Sequence, residues 1–289
     1  MDALTTLVGA ALVLAAVAWV VAAWLWGPAW RAAWRRARIR RQPFPPAWRE
    51  ILRRRMPAFA RLPADVQLQL KKHAQVLIAE KPFIGCAGLD VTEDMRVLVA
   101  VQASLLLLGR GPSAFDHLRQ ILLYPGAFAV QRSQPDGLGL VHEQLQALLG
   151  EAWQQGQVLL SWNDVLAGAA DPNDGHNVVI HEFAHVLDQA HGAANGAPWL
   201  PGRQGRERWA RVMQAEFDRL QTQLANGETT LLDPYGAQNA AEFFAVACEA
   251  FFERPLELAS QQAPLYALLQ SLFGVDPALW RSSHGLARN

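Results

Sequence analysis

His181 and His185 stand four residues apart with Glu182 beside the first, in the run His181-Glu182-Phe183-Ala184-His185. On a helix, positions i and i+4 lie one above the other on the same face. Two imidazoles so placed can hold one metal ion, and the carboxylate next to the first can act on water as a general base. The flanks, Val178-Val179-Ile180 and Val186-Leu187, are apolar, so this helix buries what it carries. Imidazoles and a carboxylate buried without partners are costly, and a metal ion with its water removes that cost. His142-Glu143 begins in the same way, but Leu145-Gln146 follow and no second His appears; that pair reads as a solvated helix face.

Zinc in a catalytic site takes a third protein ligand and leaves the fourth position open. The His residues downstream are His191 and His284. The better candidate is Glu242, in a segment from Asn239 to Phe252 that is apolar nearly all round and therefore interior. The competing reading of Glu242 is a capping box, with Asn239 as N-cap and the acid three residues on. Glu249, seven residues later on the same face, can orient a zinc-bound His or pair with an Arg. Tyr235, in Leu232-Asp233-Pro234-Tyr235-Gly236, precedes Glu242 by seven residues. A phenol there can donate to an oxyanion, or it is a turn tyrosine between Pro and Gly.

These side chains need elements to hold them. Asp171-Pro172-Asn173-Asp174-Gly175 supplies turn chemistry ahead of the HExxH helix, and Gly192 closes it. Residues 48–80 have helical spacing. Phe83 to Asp90 reads as a strand or turn. Met95 to Leu108 is an apolar run broken only by Arg96, Gln102 and Ser104, and periodicity alone leaves helix and strand both open. Leu118 to Val130, broken at Tyr124-Pro125-Gly126, and Gln157 to Trp162 read as strands. A mixed-polarity helix is expected over about 207–224 and a last group of helices from Asn239. The class is α+β, helix-dominated with a small sheet.

The chain has 289 residues and no net formal charge, so no global field draws it to nucleic acid, and no direct nucleic-acid binding is expected. Three lysines leave 23 of the 26 basic residues as Arg, many of them between Arg31 and Arg55. Cys86 and Cys248 are far apart and form no metal or redox pattern, which fits a reducing compartment. No G-x-S-x-G, P-loop or G-x-G-x-x-G is present. Ala3 to Trp26 carries no charge and is long enough to span a bilayer. Arg31, Arg35, Arg36, Arg38, Arg40 and Arg41 follow it, with Trp19, Trp24, Trp26 and Trp30 gathered at that end. A cleaved signal peptide would place its basic residues ahead of the apolar run instead. The reading is an N-terminal transmembrane anchor over 1–30 and a basic, proline-containing linker over 31–47. The positive-inside rule then puts the rest at the inner membrane facing the cytoplasm. A peptidase domain is expected over 48–289, with lobes at about 48–155 and 156–289.

From about Phe83 onward the sequence resembles the Mlc titration factor A family of zinc peptidases, relatives of the anthrax lethal factor catalytic domain. The resemblance rests on Gly85-Cys86-Ala87-Gly88-Leu89-Asp90-Val91-Thr92, Leu105-Leu106-Leu107-Leu108-Gly109 and Leu160-Ser161-Trp162. Its most specific blocks are Val179 to Asp188, Leu232 to Gly236 and Ala241 to Val246. It implies a zincin-like fold, with His181, His185 and Glu242 as ligands of one Zn2+. It implies Glu182 as general base, Tyr235 as oxyanion donor, aminopeptidase activity on peptide or protein substrates, and a Mlc-like transcriptional repressor as partner. The anchor departs from the family pattern. The alternative is a non-catalytic or latent zinc-containing regulator that works by binding a repressor; an intact general base argues against it, since a structural site needs none.

Overall fold

The computed structural model describes residues 3–126, 156–190, 192 and 194–282. It divides into two units, Met1–Pro43 and Phe44–Asn289. In the first unit the described residues form one helix, α1 (Ala3–Arg41), which carries Pro28 and runs through Trp30 into the Arg cluster without a break. Among the described residues no helix is long and apolar enough to cross a membrane. That corrects the transmembrane helix expected over 1–30, the membrane contact through residues 3–26 and the single-pass inner-membrane placement. Freedom from charge is a permissive property and does not fix where a helix stops. Eight of residues 3–26 are Ala, each adding only a methyl of apolar surface.

The second unit begins with α2 (Pro46–Arg55), opened by a proline whose missing N–H costs nothing in a first turn. α3 (Ala64–Glu80) buries Leu70, Ala74 and Leu77, one side of a helix. The ambiguous run after Asp90 is a helix, α4 (Glu93–Ala103), with the Thr92 hydroxyl accepting from the Met95 N–H. It is apolar all round because Val97 to Val101 are wholly enclosed, which erases the periodicity that would have identified it.

Strands β1 (Phe83–Gly85), β2 (Gln120–Tyr124) and β3 (Gln157–Ser161) form a three-stranded parallel sheet in that order. Ile121 stands between Phe83 and Val158, and Leu123 between Gly85 and Leu160. Val158 to Ser161 are all buried, as expected of a parallel strand covered on both faces. Gly85 permits the chain to turn back on itself, because a Cβ there would lie 1.7 Å from the Leu89 carbonyl oxygen. The part of the expected Leu118–Val130 strand after Gly126 lies outside the described residues, as do His142-Glu143, His191 and His284.

The remaining described elements are helical: α5 (Trp162–Ala170), α6 (Val178–Gln189), α7 (Arg203–Ala225), α8 (Ala240–Glu253), α9 (Pro255–Gln261), α10 (Ala263–Phe273) and α11 (Pro277–Ser282). α6 packs on α8, β3 and α4, so the HExxH helix lies in the interior of the unit. Phe183 projects from it onto Phe115, ring centroids 5.0 Å apart. α8 presents Phe243, Phe244 and Phe251, all fully enclosed, and each contributes about 1.5–3 kcal/mol of apolar burial. Helix-dominated α+β is therefore the architecture of this unit.

Candidate metal centre

The site is built where α6 meets α8. α6 starts at Asn177, whose side-chain oxygen accepts from the Ile180 N–H at 3.1 Å and satisfies one of the donors a helix start leaves open. His181 and His185 then follow one turn apart, with ring centroids 5.0 Å apart. α8 starts at Asn239, whose oxygen accepts from the N–H groups of Ala241 and Glu242, both at 3.0 Å. The cap is thus made by Asn239 alone, and the Glu242 carboxylate turns to the imidazoles. That decides between the two sequence readings of Glu242.

His181 Nε2 lies 3.0 Å from Glu242 Oε2, His185 Nε2 lies 3.3 Å from the same oxygen, and the two Nε2 atoms are 3.3 Å apart. Ligands at about 2.0–2.2 Å around a tetrahedral zinc are separated from one another by roughly 3.3 Å. Two nitrogens and one carboxylate oxygen at that spacing form the donor set of a gluzincin-type zinc site, and His181, His185 and Glu242 fit a single Zn2+. His185 is fully enclosed and Glu242 nearly so, while the His181 side chain keeps 15% of its surface exposed. The centre is therefore reached from the His181 side.

Glu249 completes the arrangement. Its Oε1 lies 2.8 Å from His181 Nδ1, and its Oε2 accepts from the Asn177 N–H at 2.5 Å. An imidazole that donates from Nδ1 to a carboxylate keeps its Nε2 lone pair for a metal. Of the two readings left open for Glu249, the structure selects orientation of a histidine.

Electrostatics express the same geometry. Burial disfavours a charged His181, yet hydrogen bonds to Glu242 and Glu249, with Glu249 and Glu182 nearby, hold its pKa well above the usual value. His185 is pushed down by burial and by its neighbour His181. Burial alone would raise Glu242, but the two imidazoles hold it down to about 2. The three groups are organised around one positive charge.

Glu182 is buried on α6 beside His181. Tyr235 is half-buried in the short turn Pro234–Ala237, where the Asp233 carboxylate accepts from its N–H at 2.7 Å, and its ring centroid is 5.9 Å from that of His181. His181, His185 and Glu242 thus come together with the Tyr235 ring beside them, and Glu182 follows His181 on the same helix. His181 and Tyr235 line a cavity of about 320 Å³ together with Asp164, Asp174, Asp233 and Glu249. Cys248 is fully enclosed, with burial raising its thiol far above its ordinary range, and takes no part.

Two further residues, Asn177 and Asp188, support the site. Asn177 donates from its side chain to Glu253 Oε1 at 2.9 Å and to Gln102 Oε1 at 3.0 Å, besides capping α6 and holding Glu249. Asp188 accepts from the N–H groups of Gly196 and Ala197 at 2.7 and 2.8 Å, pinning the chain that leaves α6. A signal existed for Asp188, which is seven residues from His181 on the same helix face. For Asn177 the signal was an N-cap residue directly ahead of an apolar run.

The family described as glucose-regulated metallo-peptidase M90 matches residues 31–274. An uncharacterised protein of Synechocystis is similar, 38% identical over 262 residues that cover 90% of this chain and 94% of that protein. Mlc titration factor A of Pectobacterium atrosepticum is 33% identical over 227 residues, 77% of this chain and 84% of its own length. Mlc titration factor A of Yersinia pestis is 33% identical over 249 residues, 84% and 90% respectively.

Proposed function

We propose, for a chain that belongs to the M90 family of metallopeptidases, that it hydrolyses peptide bonds at the His181–His185–Glu242 centre and acts at substrate N-termini. The observation that carries this reading is the pair of imidazoles and one carboxylate at tetrahedral zinc spacing, with Glu182 buried alongside and an open cavity in front. When bound, zinc supplies a Lewis acid that polarises a carbonyl and acidifies water. Glu182 receives the proton of the attacking water and delivers it to the leaving amine. Tyr235 donates its hydroxyl to the oxyanion of the tetrahedral intermediate. Glu249 keeps the His181 ring oriented throughout. The acids Asp164, Asp174 and Asp233 along the cavity favour a substrate that presents an ammonium group, which supports trimming from an N-terminus over internal cutting.

The test is incubation of the zinc-loaded chain with a peptide mixture, free and N-acetylated, beside Glu182→Gln. Cleavage of the free peptides alone, absent in the variant although it retains zinc, is expected. Cleavage by the variant at the wild-type rate overturns the role of Glu182, and equal cleavage of acetylated peptides overturns the exopeptidase reading.

The relatives named Mlc titration factor A support a second activity, binding of a Mlc-like transcriptional repressor. Co-purification of such a repressor with Glu182→Gln tests it apart from catalysis.

A further inference from the structure

Asp233 gives its two carboxylate oxygens to two different segments. Oδ1 accepts from the Tyr235 N–H at 2.7 Å, closing a turn over Pro234. Oδ2 lies 3.3 Å from His176 Nδ1, within ion-pair distance. His176 belongs to the loop ahead of α6. Its own N–H donates to Asp174 Oδ1 at 2.9 Å, and the next residue, Asn177, caps the helix of the histidine ligands. One side chain therefore ties the segment that carries Tyr235 to the segment that starts the metal-binding helix. Asp233, His176, Tyr235 and His181 all line the metal-side cavity.

We propose that Asp233 is the positioning residue of Tyr235, fixing where the phenol stands beside the metal centre, with His176 as its outer hold. This rests on the reading of Tyr235 as oxyanion donor. Such a donor is effective only if it is aimed before the charge develops, and a misplacement of about 1 Å can cost about 100-fold. Tyr235 sits on a short turn and not on α6 or α8, with its ring centroid 5.9 Å from that of His181. The two helices that fix the metal ligands therefore do not carry it, and the tyrosine needs a restraint of its own. Local sequence supplies one. An aspartate readily bonds the backbone N–H two residues on, and a proline between them presets the turn. The proline also keeps Asp233 extended, at φ −58° and ψ 134°.

The rival restraint is packing, since Gly236 lies close enough to α8 that a Cβ on it would touch Val246 at 3.4 Å. Substitutions at Asp233 separate the two. Alanine leaves the Gly236 contact in place and removes the acceptor of the Tyr235 N–H. Asparagine keeps that acceptor and turns an NH2 to the His176 ring nitrogen, so it preserves the aim and discards the charge.

The experiment measures kcat and KM on free peptides, and fluorine NMR of the full chain labelled with fluorotyrosine. The three tyrosines, Tyr124, Tyr235 and Tyr266, give three resonances, that of Tyr235 assigned by its loss in Tyr235→Phe. Asp233→Ala is expected to move the Tyr235 resonance alone and to lower kcat by about 10–100-fold with zinc content unchanged. In a Tyr235→Phe background it should cost nothing further, because no hydroxyl is left to aim. Asp233→Asn should keep the resonance and kcat of the wild type and raise only KM, through loss of a charge that attracts the substrate ammonium. His176→Ala should move the same resonance by less than Asp233→Ala does. The proposal is overturned by any of three results in Asp233→Ala: a Tyr235 resonance that stays in place, movement of all three resonances, or an equal loss of kcat with and without the Tyr235 hydroxyl. The first would show that packing on α8 holds the turn, and the second that Asp233 holds the whole unit. Unchanged turnover in Tyr235→Phe overturns the oxyanion reading instead, and the resonances still decide whether Asp233 fixes the ring.

Discussion

Glu249→Gln tests the claim that a hydrogen bond to the far side of an imidazole sets the strength of the metal site. The wild-type carboxylate has two acceptor oxygens and uses both, one for His181 Nδ1 at 2.8 Å and one for the Asn177 N–H at 2.5 Å. Glutamine keeps the shape and offers a single acceptor. If its oxygen stays with Asn177, its NH2 faces His181 Nδ1, and the imidazole must then carry its proton on Nε2, where the metal binds. If its oxygen goes to His181 instead, the Asn177 N–H loses its acceptor in the interior, at about 1–3 kcal/mol. Outer partners of this kind are worth about 10–100-fold in metal affinity, so the zinc dissociation constant should rise by that factor, about 1.4–2.8 kcal/mol. The assay is competition with a chromophoric chelator on protein whose fold is verified by circular dichroism. A variant that folds normally and binds zinc as tightly as the wild type refutes the argument, since it would show that the ring is oriented by packing alone.

Tyr235→Phe should lower kcat by about 10²–10³-fold with zinc content unchanged, the cost of one oxyanion donor; unchanged turnover would return Tyr235 to the role of a turn residue. Glu253→Gln should alter how stability depends on pH. The folded carboxyl is raised to about 8 from an ordinary 4.5 by burial and neighbouring acids, so the wild type loses stability as pH rises from about 4.5 to 8. The variant escapes that loss of up to about 5 kcal/mol, and a stability difference that is the same at pH 5 and pH 9 would contradict it. Phe251→Ala removes a fully enclosed ring packed on Phe252, Tyr266 and Phe273 at centroid distances of 5.0, 5.2 and 5.6 Å. Denaturant titration should show a loss of about 3–5 kcal/mol, and a loss below about 1 kcal/mol would mean that the cluster collapses to fill the gap.

The metal centre was legible because its ligands obey helix geometry within short stretches. His181 and His185 are spaced by one turn, and Glu242 stands at the start of an apolar helix with few acids. Tyr235 was ambiguous because a tyrosine between Pro234 and Gly236 has the same local pattern whether or not its hydroxyl meets a substrate. What stayed hidden is carried by pairs distant in sequence. Asn177 meets Gln102 across 75 residues and Glu253 across 76, and no local pattern encodes either encounter. Gln102 registered only as a polar interruption of an apolar run, where it now proves to be a buried partner of the α6 cap. The anchor was misread for a related reason: an uncharged stretch specifies what a helix lacks, whereas where α1 ends is set at Arg41, beyond the apolar residues.

Three acids on α8 tie these findings together. Glu242, Glu249 and Glu253 are spaced by seven and then four residues, so they fall on one face of the helix, and that face meets α6. Each has a different partner along α6: Glu242 the Nε2 atoms of both histidines, Glu249 the Nδ1 of His181, and Glu253 the side chain of the Asn177 cap. A carboxylate buried alone in so apolar a helix would be strongly destabilising, and three would be more so. They are tolerated because Glu249 and Glu253 are met by donors from α6, or from the loop just ahead of it, and Glu242 by the two imidazole Nε2 atoms with which it would share a metal ion. The same contacts fix the register of the two helices, since sliding α8 by two turns would place Glu249 where Glu242 belongs and leave the cap without its acid. The acid stripe is thus at once what holds the metal ligands and what prevents the two helices from packing in any other register.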